Sequence, residues 1–202
     1  MSRWKSITNY GTDRSFTDYI HDKVAIPKIY EPLNWIPVEL DEQQTKTDDM
    51  EKGIDYVFKY NDEIKTIQER FREKKYQKYS DFTIRYRRDM NPHQDRHQSE
   101  YYKMKAHYFT YGITNCYKTD FTECSDFVKY AIIDLEKVYT KIDSDEIIIE
   151  DNHRMTCQII DDKIVCPIKY NRDGSSSFFP IEISYLVKLW GDEMIITQKG
   201  FF

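Results

Sequence analysis

The sequence predicts an α/β chain of the α+β kind, a central mixed β-sheet flanked by helices. Three observations carry that expectation. Between Gly53 and Arg88, three runs rich in β-branched and aromatic residues (54–60, 64–72 and 82–87) follow one another closely and read as neighbouring antiparallel strands. Capping residues stand before two short amphipathic stretches, Ser99 ahead of 100–105 and Asp134 ahead of 135–142. The composition, 40% hydrophobic and 32% charged with 17 Tyr and 11 Phe in 202 residues, can bury a core and does not belong to a disordered chain.

Taken in order, residues 1–13 are polar and read as a loose arm. Ser15 can cap a short helix with Phe16, Tyr19 and Ile20 on one side. Residues 24–37 are apolar but broken by Pro27, Pro32 and Pro37, which predicts an extended segment covering the core. Residues 39–52 are strongly polar and read as an exposed loop or short helix leading to Gly53. Asn61-Asp62 is a turn signal between the first two strands. After a polar loop, residues 106–114 and 129–133 read as further strands. The last third predicts a short apolar strand at 146–150, a hairpin around Asp161-Asp162, and extended residues at 178–183. It continues with a helix capped by Ser184 and a final strand at 194–197. No repeat or second domain is marked, so residues 1–202 read as one domain, with 143–202 as a C-terminal extension.

Function classes narrow on composition. A net charge of −5 argues against a purely electrostatic nucleic-acid binder, although a metal-dependent site is itself acidic before its metal arrives. The four cysteines, Cys116, Cys124, Cys157 and Cys166, form no CxxC pair, so zinc is weakly signalled. His93, His97 and His107 lie close in sequence and are a weaker candidate for metal ligation. No signal-peptide pattern opens the chain and no run approaches the ~18 apolar residues of a membrane span, so a cytoplasmic protein with free thiols and no membrane partner is expected.

The second strand carries an unusual alternation. Ile64, Thr66, Gln68, Arg70 and Arg72 share one face, and Lys65, Ile67, Glu69 and Phe71 the other, because side chains alternate along a strand. Gln68 and Arg70 then fall beside the place where Asp55 enters the preceding strand. A carboxylate, an amide oxygen and a cation converging there can hold a divalent ion and a phosphate. A twisted hairpin with a solvated charged face is the alternative.

Gly53-Ile54-Asp55 followed by Ile67-Gln68-Glu69-Arg70 resembles the restriction-endonuclease-like superfamily, the PD-(D/E)XK nucleases, over roughly residues 40–142. In that pattern Asp55 stands at the Asp, Gln68 at the second metal-ligand position, and Arg70 at the Lys. Twelve residues separate Asp55 from Gln68, enough for two strands and a tight turn. The resemblance implies a restriction-endonuclease-like sheet and a metal-dependent nuclease, a hydrolase of phosphodiester bonds, with Mg²⁺ or Mn²⁺ as cofactor. Asp55, Gln68 and Arg70 would be catalytic. Asp55, Gln68 and the carbonyl of Glu69 would hold the metal. An additional acid would come from the preceding helix, with Asp49 and Glu51 favoured and Glu42 and Asp48 also candidates. Arg70 departs from the pattern, since a guanidinium stays protonated and clamps phosphate rather than acting as a base.

The same resemblance implies a nucleic-acid partner, DNA ahead of RNA, and leaves a homodimer open. Arg72, Lys74, Lys75, Lys78, Arg85, Arg87 and Arg88 form the most basic region of the chain, interleaved with Tyr76, Tyr79 and Tyr86. A solvated edge paired to Glu69, Glu73 and Asp81 is the competing reading. Two other classes stay in view: a nuclease fold without activity that binds nucleic acid or protein, and an interaction module using its Tyr-rich strands.

Overall fold

The computed structural model describes residues 10–41, 47–87, 99–171 and 176–202. In chain order the strands are β1 (Ile36–Pro37), β2 (Tyr56–Tyr60), β3 (Glu63–Arg72), β4 (Asp81–Arg87), β5 (Tyr108–Thr114) and β6 (Phe127–Asp134). They continue as β7 (Ile147–Glu150), β8 (Gln158–Ile160), β9 (Lys163–Pro167), β10 (Lys169–Tyr170), β11 (Ser177–Glu182) and β12 (Ile195–Lys199). The main helices are α1 (Tyr10–Ile20), α2 (His21–Tyr30, wound at π pitch), α3 (Glu100–Lys103), α4 (Leu135–Asp143) and α5 (Ile183–Trp190).

Six strands make a mixed central sheet in the order β1-β2-β3-β5-β6-β12. All its pairs are antiparallel except β3 with β5, which run parallel. Two three-stranded sheets, β10-β11-β4 and β7-β9-β8, accompany it among the described residues. Helices and a mixed sheet are thus present as the sequence predicts.

Alternation along the strands separates two cores. Ile67 and Phe71 of β3, with Phe58, Phe127 and Ile132, meet α1 and α2 through Phe16, Ile20, Val24, Ala25, Ile29 and Tyr30. On the other face Phe109, Tyr111, Ile113 and Ile133 pack with Phe82, Ile84, Phe179, Ile181, Val138 and Leu186. Each fully buried Ile or Phe contributes roughly 1.5–3 kcal/mol of transfer free energy, so both faces of the sheet are strongly specified. Gln68, Arg70 and Arg72 point toward the second face, where the β4 sheet lies beside them.

The β2–β3 hairpin turns at Asn61 and Asp62, both with positive φ, and the β8–β9 hairpin at Asp161 and Asp162 does the same. Such two-residue turns match the twist of the strands they join. Asp134 accepts a hydrogen bond from the Lys137 N–H and caps α4, as its sequence position predicts.

Several expectations are corrected. The third run of the Gly53–Arg88 region is a strand, but β4 pairs with β11 rather than with β3, because its apolar residues Phe82 and Ile84 bury against Phe179 and Ile181. Residues 21–33 are helical, not extended. Burial of Val24, Ala25, Ile29 and Tyr30 outweighs the donor that Pro27 removes inside α2. Residues 10–13 belong to α1 rather than to a loose arm, and Ser15 lies within that helix, donating to the Gly11 carbonyl. Ser99 stands at the N-cap position of α3 as its sequence position predicts, but its Oγ donates to the Tyr86 carbonyl rather than accepting a helix N–H. Ser184 falls in the first turn of α5, after Glu182. From the C-terminal extension, β11 joins β4 and β12 joins β6, so those residues are woven into the rest of the molecule.

Among the described residues no helix is long and apolar enough to cross a membrane. The four cysteines are unpaired, with the Sγ atoms of Cys157 and Cys166 3.9 Å apart.

Candidate functional site

Asp55 enters the site through a backbone device. The helical turn Asp48–Lys52 ends at Gly53, which has φ +58°. Glycine takes that left-handed conformation at no steric cost, and a Cβ here would also sit 3.3 Å from Cα of Met104. The Asp55 N–H then donates to the Ile67 carbonyl at 2.8 Å and aligns the residue with β3 just before β2 begins.

From there Asp55 Oδ2 accepts two hydrogen bonds of 2.7 Å, one from Gln68 Nε2 and one from the Glu69 N–H. Burial raises the Asp55 carboxyl to a pKa of about 8. The Glu69 N–H opposes the rise, and the nearby acids Glu69, Asp49 and Glu100 add to it. Asp55 and Gln68 therefore converge from adjacent antiparallel segments, as the strand alternation predicts.

Arg70 shares their cleft, but its guanidinium is engaged. One Nη donates to the Thr83 carbonyl and lies 3.2 Å from Thr83 Oγ1, and the other pairs with Glu100 Oε2. The ring of Phe109 lies 5.7 Å beneath it. Glu100 Oε1 is buried without a hydrogen-bond partner among the described residues.

Glu69 divides between the two sides of the sheet. Its main chain meets Asp55 and Gln68, with Gln68 Nε2 3.5 Å from its carbonyl oxygen. Its side chain is buried on the opposite face, where His21 Nδ1 lies 3.0 Å from both carboxylate oxygens and the Tyr30 hydroxyl donates at 2.5 Å. Burial, then the Glu69 charge, hold the Tyr30 hydroxyl well above its usual pKa. His21 also stacks on Tyr56 with ring centroids 3.3 Å apart. Glu69 is therefore no partner for the basic region, contrary to one reading of the sequence; its charge is absorbed behind the sheet.

Asp55, Gln68, Glu69, Arg70 and Glu100 line a cleft of about 520 Å³ together with Asp13 and Asp18 of α1, Asp49, Arg85 and Lys103. Acids outnumber bases there, the condition in which a bound cation is favoured. Asp49 borders the cleft, whereas Glu51 is exposed and does not. Asp48 is buried and paired with Lys52, and Glu42 lies outside the described residues.

The donor set suits a hard divalent ion, which takes oxygen ligands. Asp55, the Glu69 carbonyl and the unpartnered Glu100 Oε1 are oxygens, and a half-turn of the Gln68 amide would present its Oε1 with no change of shape. Among the described residues, however, no three His, Cys, Asp or Glu side chains are grouped as a metal cage. His107 Nδ1 accepts from the Thr66 N–H at 3.1 Å, and His93 and His97 lie outside the described residues.

The basic region splits. Arg72 and Arg85 line a second cleft beside the first. Lys74, Lys75 and Lys78 sit on the turn after β3 and line neither cleft; Lys75 pairs with Glu73, and Lys78 lies over the Tyr79 ring at 5.1 Å. Arg87 lies 4.6 Å over the Tyr86 ring. Arg88 lies outside the described residues.

Sequence reasoning missed Glu100, thirty positions from Arg70 and held near it only by the fold, and it missed His21 and Tyr30. A signal for the latter pair existed: an acid on the apolar face of a strand demands buried donors. Compared with protein-family models, curated proteins and solved structures, the chain gives no significant match.

Proposed function

We propose that this chain is a metal-dependent nuclease of the PD-(D/E)XK type, hydrolysing phosphodiester bonds in nucleic acid, with DNA favoured over RNA. The observation that carries the reading is the convergence of Asp55 and Gln68, 2.7 Å apart, in the acidic cleft that Arg70 also lines. Asp55, Gln68 and the Glu69 carbonyl would hold Mg²⁺ or Mn²⁺. When bound, such an ion neutralises phosphate charge and activates water. Arg70, oriented by Glu100 and Thr83, stabilises the anionic phosphate and takes no part as a base, since its guanidinium remains protonated. Arg85 extends positive charge along the cleft.

The test is cleavage of plasmid, linear duplex, single-stranded DNA and RNA with Mg²⁺ or Mn²⁺, comparing wild type with Asp55→Ala. Metal-dependent cutting by the wild type that the folded variant lacks is the expected result. A second reading, a nuclease fold that only binds, is favoured by the ion pair that already occupies Arg70 and by the lack of a three-acid group among the described residues. Binding without cutting under any metal would establish it and overturn the first.

A further inference from the structure

The second cleft, about 460 Å³, opens between β3 and the β4 sheet and adjoins the first through Arg70 and Arg85, which line both. Its volume lies within the roughly 300–1,000 Å³ of pockets that take one small molecule. Its lining combines two kinds of group. Tyr76 and Tyr79, from the turn after β3, stand with ring centroids 6.2 Å apart and tilted by 38°, and Tyr79 is 45% exposed. Arg72 lies 5.1 Å over the Tyr76 ring and donates from Nη2 to Thr83 Oγ1 at 2.9 Å. Its Nε is buried without a hydrogen-bond partner among the described residues. A buried guanidinium N–H left unsatisfied is costly, and the Arg72 cation beside the cleft favours a phosphate there. Aromatic faces beside arginines are the means by which proteins hold unstacked bases of single strands.

We infer that this second cleft takes one unstacked nucleotide of a single strand, its base against Tyr76 and Tyr79 and its phosphate toward Arg72 and Arg85. This rests on the nuclease reading and narrows its substrate to single-stranded, flapped or frayed nucleic acid. Asp81, which also lines the cleft, offers an acceptor for a base amino group.

The experiment measures fluorescence anisotropy of a labelled 12-nucleotide DNA strand, its duplex, and a free 5′-mononucleotide, with wild type and Tyr79→Ala, in EDTA and in Ca²⁺. Metal-dependent cleavage of the same oligonucleotides is scored separately. Wild type is expected to bind the strand at least tenfold more tightly than the duplex. Tyr79→Ala should lose roughly 5- to 100-fold on the strand, the usual effect of removing one base–aromatic stack, and under twofold on the duplex, with an unchanged melting temperature. A strand carrying 2-aminopurine should be quenched by wild type and less so by the variant. Equal affinity for strand and duplex, an equal loss on both, or no binding of either overturns the inference. Mononucleotide binding as tight as that of the strand would mark a small-molecule site instead and also overturns it. Cleavage that is indifferent to Tyr79 leaves the nuclease reading standing while this one falls. Tyr79-dependent strand binding without cleavage does the reverse.

Discussion

Oδ2 of Asp55 and Nε2 of Gln68 lie 2.7 Å apart, in a hydrogen bond that joins the entrance of β2 to the middle of β3. The Glu69 N–H reaches the same oxygen at 2.7 Å, so the oxygen best placed to meet a cation is also the one that fastens the two strands. On the nuclease reading, structural and metal-binding roles would compete at this single atom.

Replacing Gln68 by Glu would separate them. Gln68→Glu exchanges a donor for a second acid beside Asp55. In EDTA the variant should melt several degrees below wild type, because two close carboxyls resist sharing charge. Saturating Mn²⁺ should raise its melting temperature more than it raises that of wild type. An equal rise in both proteins would argue against an ion between these side chains.

Asp55 also predicts a pH dependence. Its carboxyl has a pKa of about 8 when folded, against ~3.9 in an unfolded chain, so between those values the folded state holds a proton that the unfolded state has lost. Its contribution to stability is therefore complete below pH ~4 and diminishes as pH rises toward 8. Asp55→Asn removes that dependence. Urea denaturation in EDTA should show the variant gaining on wild type by roughly 3–4 kcal/mol between pH 5 and pH 8. A constant difference across that range would contradict the raised pKa.

The Arg70–Glu100 pair predicts an asymmetry. Arg70→Ala strands a carboxylate whose side chain is only 8% exposed, with one oxygen already lacking a partner. Loss of a buried partner costs about 3 kcal/mol. The double variant Arg70→Ala with Glu100→Gln should recover part of that loss, since the orphan charge disappears. Chemical denaturation of the single and double variants measures both quantities.

Gly53 predicts a local effect with a remote reading. Gly53→Ala forces a side chain into the left-handed region and toward Met104, at a cost of about 1–2 kcal/mol. Because this turn sets Asp55, the nuclease reading predicts that Mn²⁺ affinity falls along with stability. Calorimetric titration with Mn²⁺ on the folded variant checks the second part.

Local chemistry was readable and long-range pairing was not. Asn61-Asp62 and Asp161-Asp162 announce their hairpins because positive φ suits these residue types. The alternation of β3 announces that Gln68 and Arg70 share a face, since a strand's geometry follows from its period. By contrast, no local feature says that β4 will leave β3 for β11, ninety residues on, or that residues 21–30 will coil despite Pro27. Both outcomes depend on surfaces that exist only after collapse. Glu100 escaped for the same reason: its role comes from Arg70 and Thr83, which lie in other elements.

The pairing of β4 with β11 bears on how the molecule is made. At a synthesis rate of roughly 5–20 residues per second, β4 leaves the ribosome several seconds before its partner, about ninety residues later. Throughout that interval the nascent chain carries an unmatched strand edge beside Phe82 and Ile84, and β6 likewise awaits β12. Thr83, the anchor of Arg70, belongs to that waiting strand, so the cleft is assembled late. Premature truncation should therefore yield aggregating fragments rather than partially working ones.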